Sequence, residues 1–336
     1  MADVPTQIVH LDIGEKIGLY TVTAKLGEGT FGAVYKVRTP DGEEGALKTE
    51  HISMKLLALE LHVMQKLTEN AAQFCCVLSD KGRTETFTFI VMKLVGMSLQ
   101  DAKKMGPNKH MSTGCAISAA MQCLEGLREL HATGYLHRDI KPGNYAVGLE
   151  EKNELRRIYL LDFGMCKLYR HRGEWRQIPP GKFRGTPRYA PLASHRLLEH
   201  ARRDDLESWL YMLIDFCNGS LPWKVTSDLK EIGSIKEQCR KGPMLDQMMA
   251  EVPPEIRGVL EHIDGLGFLG APDYTAMMTM MKNAIANNGH REFPYDWESK
   301  TPVSAPEAKK TATRKTTSVL TSVNGKTPTA KKSRKK

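Results

Sequence analysis

Apolar residues alternate loosely from Ile17 to Leu26, and β-branched and aromatic residues alternate again over Ala33-Val34-Tyr35-Lys36-Val37. Period-two patterning of this kind predicts two strands. They are joined by Gly27-Glu28-Gly29-Thr30-Phe31-Gly32. A turn at Asp41-Gly42 precedes a third strand at Gly45-Ala46-Leu47-Lys48. The period then changes: apolar residues at 56, 57, 61, 63, 64 and 67 predict a helix over Met54 to Leu67. Phe74 to Leu78 and Thr86 to Val91 read as strands four and five, with a charged turn around Lys81-Gly82. Beyond a connector at Met92-Lys93-Leu94-Val95-Gly96, helical spacing takes over, most clearly at 117, 120, 121, 124, 127 and 130. Ile158 to Leu161 is a short apolar strand, and Asp205 to Asn218 reads as one long buried helix. Pro253-Pro254 breaks the chain before a helix at Ile256 to Ile263, and Met277 to Met281 is helical and Met-rich, which fits core packing. The pattern is a small sheet-rich region with one helix, followed by a larger helical region.

Composition changes that picture only at the end of the chain. Residues 301–336 hold ten Lys or Arg and one acid, Glu307, so the net charge of +9 belongs to this stretch. Residues 1–300 carry 38 basic and 38 acidic side chains and are neutral on average. From Lys300 the residues are mainly Lys, Thr, Ser, Ala and Pro, too polar to bury a core, so residues 299–336 are expected to form a disordered basic tail. Lys331-Lys-Ser-Arg-Lys-Lys336 suits a nuclear localisation signal or a contact with an acidic surface, and equally a plain solubilising tail. No run of 18 uncharged apolar residues exists, and the N-terminus lacks a signal-peptide pattern, so a cytoplasmic or nuclear chain without a transmembrane segment is expected. Seven scattered cysteines with no C-x-x-C pair point to reduced thiols.

The chemistry sits in the middle of the chain. His137-Arg-Asp-Ile-Lys-Pro-Gly-Asn144 is followed by Asp162-Phe163-Gly164. One acid to receive a hydroxyl proton, one lysine and two metal-binding groups suit phosphoryl transfer from a Mg-bound nucleoside triphosphate. A lone G-x-G-x-x-G is weak, and a dinucleotide site needs a helix after it. Here a strand follows Gly32, so the loop reads as a hairpin whose backbone can lie over phosphates, or as an ordinary Gly-rich hairpin. Glu60, in an otherwise apolar helical stretch, is most cheaply kept by meeting Lys48; a surface glutamate is the commoner fate. Each feature alone is bland. Their co-occurrence in this order is not.

Together these motifs resemble a eukaryotic protein kinase, and more narrowly the casein kinase 1 group near its tau-tubulin kinase branch. The narrow match rests on His137 to Gly148, Phe183-Arg-Gly-Thr-Pro-Arg-Tyr-Ala190 and Arg202-Arg-Asp-Asp-Leu-Glu-Ser208. Ser220-Leu-Pro-Trp223, Ile232 to Glu237, Pro272-Asp-Tyr274 and Asp296-Trp-Glu298 extend it. The resemblance implies an α+β, two-lobed protein kinase fold: an extension at 1–14, a kinase domain at 15–298 with a small lobe about 15–92 and a large lobe about 97–298. It implies ATP and Mg2+ as cofactors and a Ser/Thr protein kinase acting on protein substrates, expected as a monomer. Asp139 would accept the substrate hydroxyl's proton, Lys141 would neutralise charge on the γ-phosphate, and Asn144 and Asp162 would bind Mg2+. Gly27, Gly29 and Gly32 would cover the phosphates and Lys48, held by Glu60, would reach them. Val34 and Ala46 above, Ala146 below, and Met92 and Leu94 in the connector would hold the adenine. Asp205 would brace the catalytic loop. The chain has Ala190-Pro191-Leu192 where most kinases carry Ala-Pro-Glu, as the group does. Three positions depart from the group: Pro187, Gly45 before Ala46, and Lys93 in the connector.

From Phe163 to Pro191 seven basic residues (Lys167, Arg170, Arg172, Arg176, Lys182, Arg184 and Arg188) face one acid, Glu174. Arginine clusters suit phosphate and carboxylate. By resemblance, Lys182, Arg188 and Lys236 would recognise an acidic or pre-phosphorylated substrate site. The alternatives are a solvated basic loop or a dock for the chain's own phosphorylated tail. The rival to catalysis is a pseudokinase acting as a nucleotide- or partner-binding scaffold, against which Lys48, Asp139, Asn144 and Asp162 are all present. A nucleic-acid-binding protein is a second rival, carried by the tail alone.

Overall fold

A computed structural model of the chain describes residues 8–29, 32–171, 174–175 and 182–298. Thr30 and Phe31 of the glycine hairpin, Arg172 and Arg176 of the basic segment, and the tail with its basic run lie outside the described residues.

The small lobe is one antiparallel sheet in the order β1-β2-β3-β4-β6-β5. Its strands are β1 (Lys16–Ile17), β2 (Tyr20–Gly29), β3 (Gly32–Arg38), β4 (Glu44–His51), β5 (Leu78–Arg83) and β6 (Phe87–Lys93), and α1 (Leu57–Glu69) lies between β4 and β5. Alternation does the work here: Val22, Tyr35, Val37, Leu47, Phe89 and Val91 form one apolar cluster inside the lobe. Packing leaves no room for a side chain at Gly32 and Gly45, among other positions. A Cβ on Gly32 would stand 2.0 Å from the Thr49 carbonyl oxygen, and one on Gly45 would stand 2.9 Å from Val91 Cγ1. The glycine at 45 is therefore matched by Val91, a diagonal neighbour on β6 whose side chain fills the space.

The fourth strand is displaced from its expected place. Phe74 to Leu78 does not join the sheet as a strand; the strand is Leu78–Arg83, which contains the Lys81-Gly82 expected as a turn. The apolar stretch is used elsewhere: Cys76 N–H donates to Leu160 O (2.8 Å) and Leu160 N–H to Phe74 O (2.8 Å), tying it to the large lobe.

The large lobe is built on α3 (Thr113–Ala132) and α5 (Arg202–Asn218). Residues 204–217 of α5 are all buried, as the reading of one long buried helix expects. The remaining helices are α2 (Leu99–Ala102), α4 (Leu192–His195), α6 (Leu229–Gln238), α7 (Gly242–Met248), α8 (Glu255–Gly265) and α9 (Tyr274–Asn287). Short two-stranded pairings carry the loops of interest: β8 (Tyr145–Val147) pairs with β9 (Ile158–Leu160), and β7 (Tyr135–Leu136) pairs with β10 (Lys167–Leu168). Helix α9 is longer than the Met277–Met281 core from which it was read. All seven cysteines are free and buried, as expected of reduced thiols. Among the described residues, no helix is long and apolar enough to cross a membrane.

Candidate active site

Three elements converge on the cleft between the lobes. Strand β4 brings Lys48, α1 brings Glu60, and the turn after β9 brings Asp162. Lys48 Nζ donates to Glu60 Oε2 at 2.6 Å and to Asp162 Oδ1 at 3.2 Å. Burial works against the Lys48 charge, but the two carboxylates raise its pKa above the ordinary lysine value. Burial likewise opposes the Asp162 carboxylate, and Lys48 beside it holds the group below its usual range. The ion pair inferred from a lone helical glutamate is thus formed.

The loop from His137 to Asn144 is held by a single buried carboxylate. Asp205, in the first turn of α5, accepts from His137 N–H (2.7 Å), Arg138 N–H (2.8 Å) and the His131 ring (2.9 Å). Complete burial would push its pKa up, yet these hydrogen bonds keep it lowered. Arg138 (φ 69°) and Asp162 (φ 59°) both sit in the left-handed region, an uncommon place for a residue with a Cβ. Both are anchored, Arg138 by Asp205 and Asp162 by Lys48. His137 is buried and accepts from Asp139 N–H through Nδ1 (3.3 Å), so its Nε2–H donates to Leu161 O (3.0 Å).

Asp139 is oriented on both oxygens. Lys141 Nζ donates to Oδ2 at 2.6 Å and the Thr186 hydroxyl donates to Oδ1 at 2.8 Å. Lys141 also reaches Thr186 Oγ1 (3.2 Å). Asn144 donates its amide nitrogen to the Asp139 carbonyl (2.8 Å), which leaves the amide oxygen as the group to offer a cation. The Asp162 side chain is half exposed, with one oxygen on Lys48. Two hard oxygen ligands beside open space fit Mg2+, which takes one or two protein oxygens and completes its shell with phosphate and water.

The adenine side follows the strand register. Ala46 pairs with Met92 across β4 and β6, and Val34 lies opposite Lys48 across β3 and β4. The connector is fixed to β8 by Gly96 N–H to Val147 O (2.7 Å) and Val147 N–H to Met97 O (2.9 Å), next to Ala146. The Leu94 side chain is buried. The backbone of Val95, within the connector expected at Met92 to Gly96, makes no hydrogen bond to another described residue, which leaves it for a purine edge. Gly27 and Gly29 have open space where a Cβ would be or nearly so, whereas Gly32 is demanded by β4.

The anion candidates separate. Lys182 and Arg188 are exposed, as is Arg184 between them, and none of the three forms an ion pair with another described residue. Lys236 does not belong with them. It is fully buried, donating to Pro187 O (2.8 Å) and Ala190 O (2.6 Å). Its ammonium holds the segment from beneath and does not face a substrate. Pro187 is also explained. Tyr189 N–H donates to Thr186 O (2.9 Å), closing a turn with proline at its second position, where a fixed φ is favoured and an N–H is not needed.

The model of the protein kinase domain family matches residues 20–282. A probable serine/threonine-protein kinase of Dictyostelium discoideum is 33% identical over 291 residues, 84% of this chain, which spans 57% of that relative's length. A second protein of the same described class, from Caenorhabditis elegans, is 32% identical over 314 residues, covering 89% of this chain and 86% of its own. The charge cluster of Lys48, Glu60, Asp139, Asn144 and Asp162 lies within the matched span, on the two-lobed fold that such a site needs. The chain belongs to the protein kinase family, with serine/threonine-protein kinases as its kin.

Proposed function

We propose that the protein transfers the γ-phosphate of ATP to Ser or Thr hydroxyls of protein substrates, favouring sites beside an acidic or phosphorylated residue. The observation that carries the first half is the pair of oriented carboxylates. Asp139 faces the cleft with Lys141 and Thr186 on its oxygens, and Asp162 shares Lys48 with Glu60. The incoming hydroxyl replaces the Thr186 hydroxyl on Asp139 Oδ1 and passes its proton there. Lys141, 2.6 Å from the same carboxylate, lies where charge gathers on the transferred group. Lys48 holds the α/β-phosphates and Glu60 holds Lys48. Asn144 and Asp162 would hold Mg2+, which when bound neutralises and orients the phosphates.

The second half rests on the exposed Lys182, Arg184 and Arg188 beside the turn that presents Thr186. Motifs around His137, Arg202 and Trp223 support a place within the casein kinase 1 group, near the tau-tubulin kinase branch. Phosphate transfer from ATP to casein, and to a peptide with and without a phosphoserine beside the target serine, tests both halves. Lys48→Met and Asp162→Asn are expected to abolish transfer. Equal turnover in all three proteins would refute the site, and equal use of the two peptides would refute the anion preference.

A further inference from the structure

We infer that Glu50, on the strand that carries Lys48, is a positioning residue: it caps the N-terminus of α1 and so keeps Glu60 against Lys48. The inference rests on the kinase reading above and concerns how that site is kept assembled.

Helix α1 begins without a cap of its own. Leu56 supplies no side-chain acceptor, and the nearby hydroxyl of Ser53 is hydrogen bonded to His51 Nδ1 (2.7 Å). The first N–H groups of a helix have no partner within it and need an acceptor. Glu50 provides one: its Oε1 accepts from Leu56 N–H and from Leu57 N–H, each at 2.9 Å. The residue is 4% exposed, so this carboxylate has left water for a place where two donors and the positive end of a helix receive it. A buried carboxylate with no such partners would be strongly unfavourable.

Lys48 and Glu50 are two apart on β4 and share one face of the strand. Lys48 grips Glu60 in the first turn of α1, and Glu50 grips the backbone at 56 and 57. One strand therefore holds the start of the helix at two points, about one helical turn apart. The Glu60 point also meets the backbone of Phe163, at the start of the segment from 163 to 191, whereas the Glu50 point is made by the strand alone. Arg138 is also committed: its guanidinium donates to Met165 O (2.8 Å) and Cys166 O (3.4 Å). The geometry describes a helix whose start is held by its neighbouring strand.

Backbone amide exchange of residues 56–60 and steady-state kinetics of Glu50→Ala in the full chain test this. Loss of the cap is expected to speed exchange of these amides roughly five- to tenfold. It should lower kcat about threefold or more while changing KM for ATP less, because fewer molecules keep Glu60 docked. Lys55→Asp in the Glu50→Ala background places a capping carboxylate before Leu57 on an exposed position and should restore both readouts. If Glu50→Ala does not fold, Glu50→Gln, which keeps an acceptor without the charge, takes its place and should show the same changes in smaller degree. Unchanged exchange at 56–60, or a kcat loss that Lys55→Asp leaves untouched, would overturn the proposal. A wild-type chain that transfers no phosphate would refute the kinase reading alone, since the exchange measurement does not depend on turnover.

Discussion

Replacing Lys236 with methionine isolates an unusual term in the stability of this fold. The ammonium is fully buried, lies 5.0 Å over the Trp223 ring and 5.1 Å over the Tyr211 ring, and donates to two carbonyls of the substrate-side turn. Burial lowers its pKa from 10.5 to about 7. Between those values the unfolded chain binds a proton here that the folded chain does not. Stability therefore rises with pH across this window, by up to about 1.4 kcal/mol per pH unit and roughly 5 kcal/mol in all. Below about pH 7 both states are protonated and the group contributes no slope. Methionine keeps the length and the ring contacts but donates nothing, so Pro187 O and Ala190 O lose their partner at about 1–3 kcal/mol each. Near pH 7 the relief of a desolvated charge offsets much of that loss; at pH 9.5 nothing offsets it. Urea unfolding of wild type and Lys236→Met from pH 6 to 9.5 should give curves that lie close at neutral pH and diverge above it. His195, lowered to about 4 by burial and by Lys236, titrates below this window and does not interfere. Parallel stability curves from pH 7 to 9.5 would refute the reasoning.

Further outcomes follow from other residues. Arg188→Ala should reduce the preference for a phosphorylated over an unphosphorylated peptide about tenfold, the magnitude of one charge-assisted hydrogen bond, with kcat on an unprimed substrate little changed. Asp205→Asn removes the charge on which three donors converge, and should lower stability by roughly 3 kcal/mol in urea and cut kcat through the unsupported His137–Asp139 backbone. Gly32→Ala forces a methyl onto the Thr49 carbonyl and should cost about 1–3 kcal/mol by thermal unfolding. Lys93 donates to Glu154 (2.7 Å) and Tyr159 (2.7 Å), so a double-mutant cycle of Lys93→Ala with Glu154→Gln should show a coupling of up to about 1 kcal/mol.

What the sequence made legible was whatever short spacing encodes. His137 to Asn144 and Asp162 form a site because a tight loop and a strand end leave them little choice of neighbours. Lys48 and Glu60 were joined by the oddity of an acid in an apolar helix, and they meet. Long-range burial was not legible. Lys236 looked like an available cation because nothing in Ser234-Ile235-Lys236-Glu237 announces that Trp223 and Tyr211 will close over it. Phe74 to Leu78 has a strand's composition, but the partner that uses it is in the other lobe, at Leu160. Glu50 escaped notice because its role depends on a helix that begins seven residues later and lacks a cap of its own. Pro187, which looked disruptive in one dimension, sits in the turn position that suits it.

Two backbone tethers between the lobes, beside side-chain pairs such as Lys48–Asp162, also bear on how they can move. One is the connector strapped to Val147; the other is the Phe74–Cys76 segment paired with Leu160. A rigid body pinned at two separated points retains one easy rotation, about the line joining them, while sliding or twisting must stretch hydrogen bonds. The cleft then behaves like a door on a pair of hinges, with a single angle as its working coordinate. Nucleotide entry and product escape would share that coordinate, and Lys93, bonded to Glu154 and Tyr159 near the pivot, is placed to damp its swing without altering its axis.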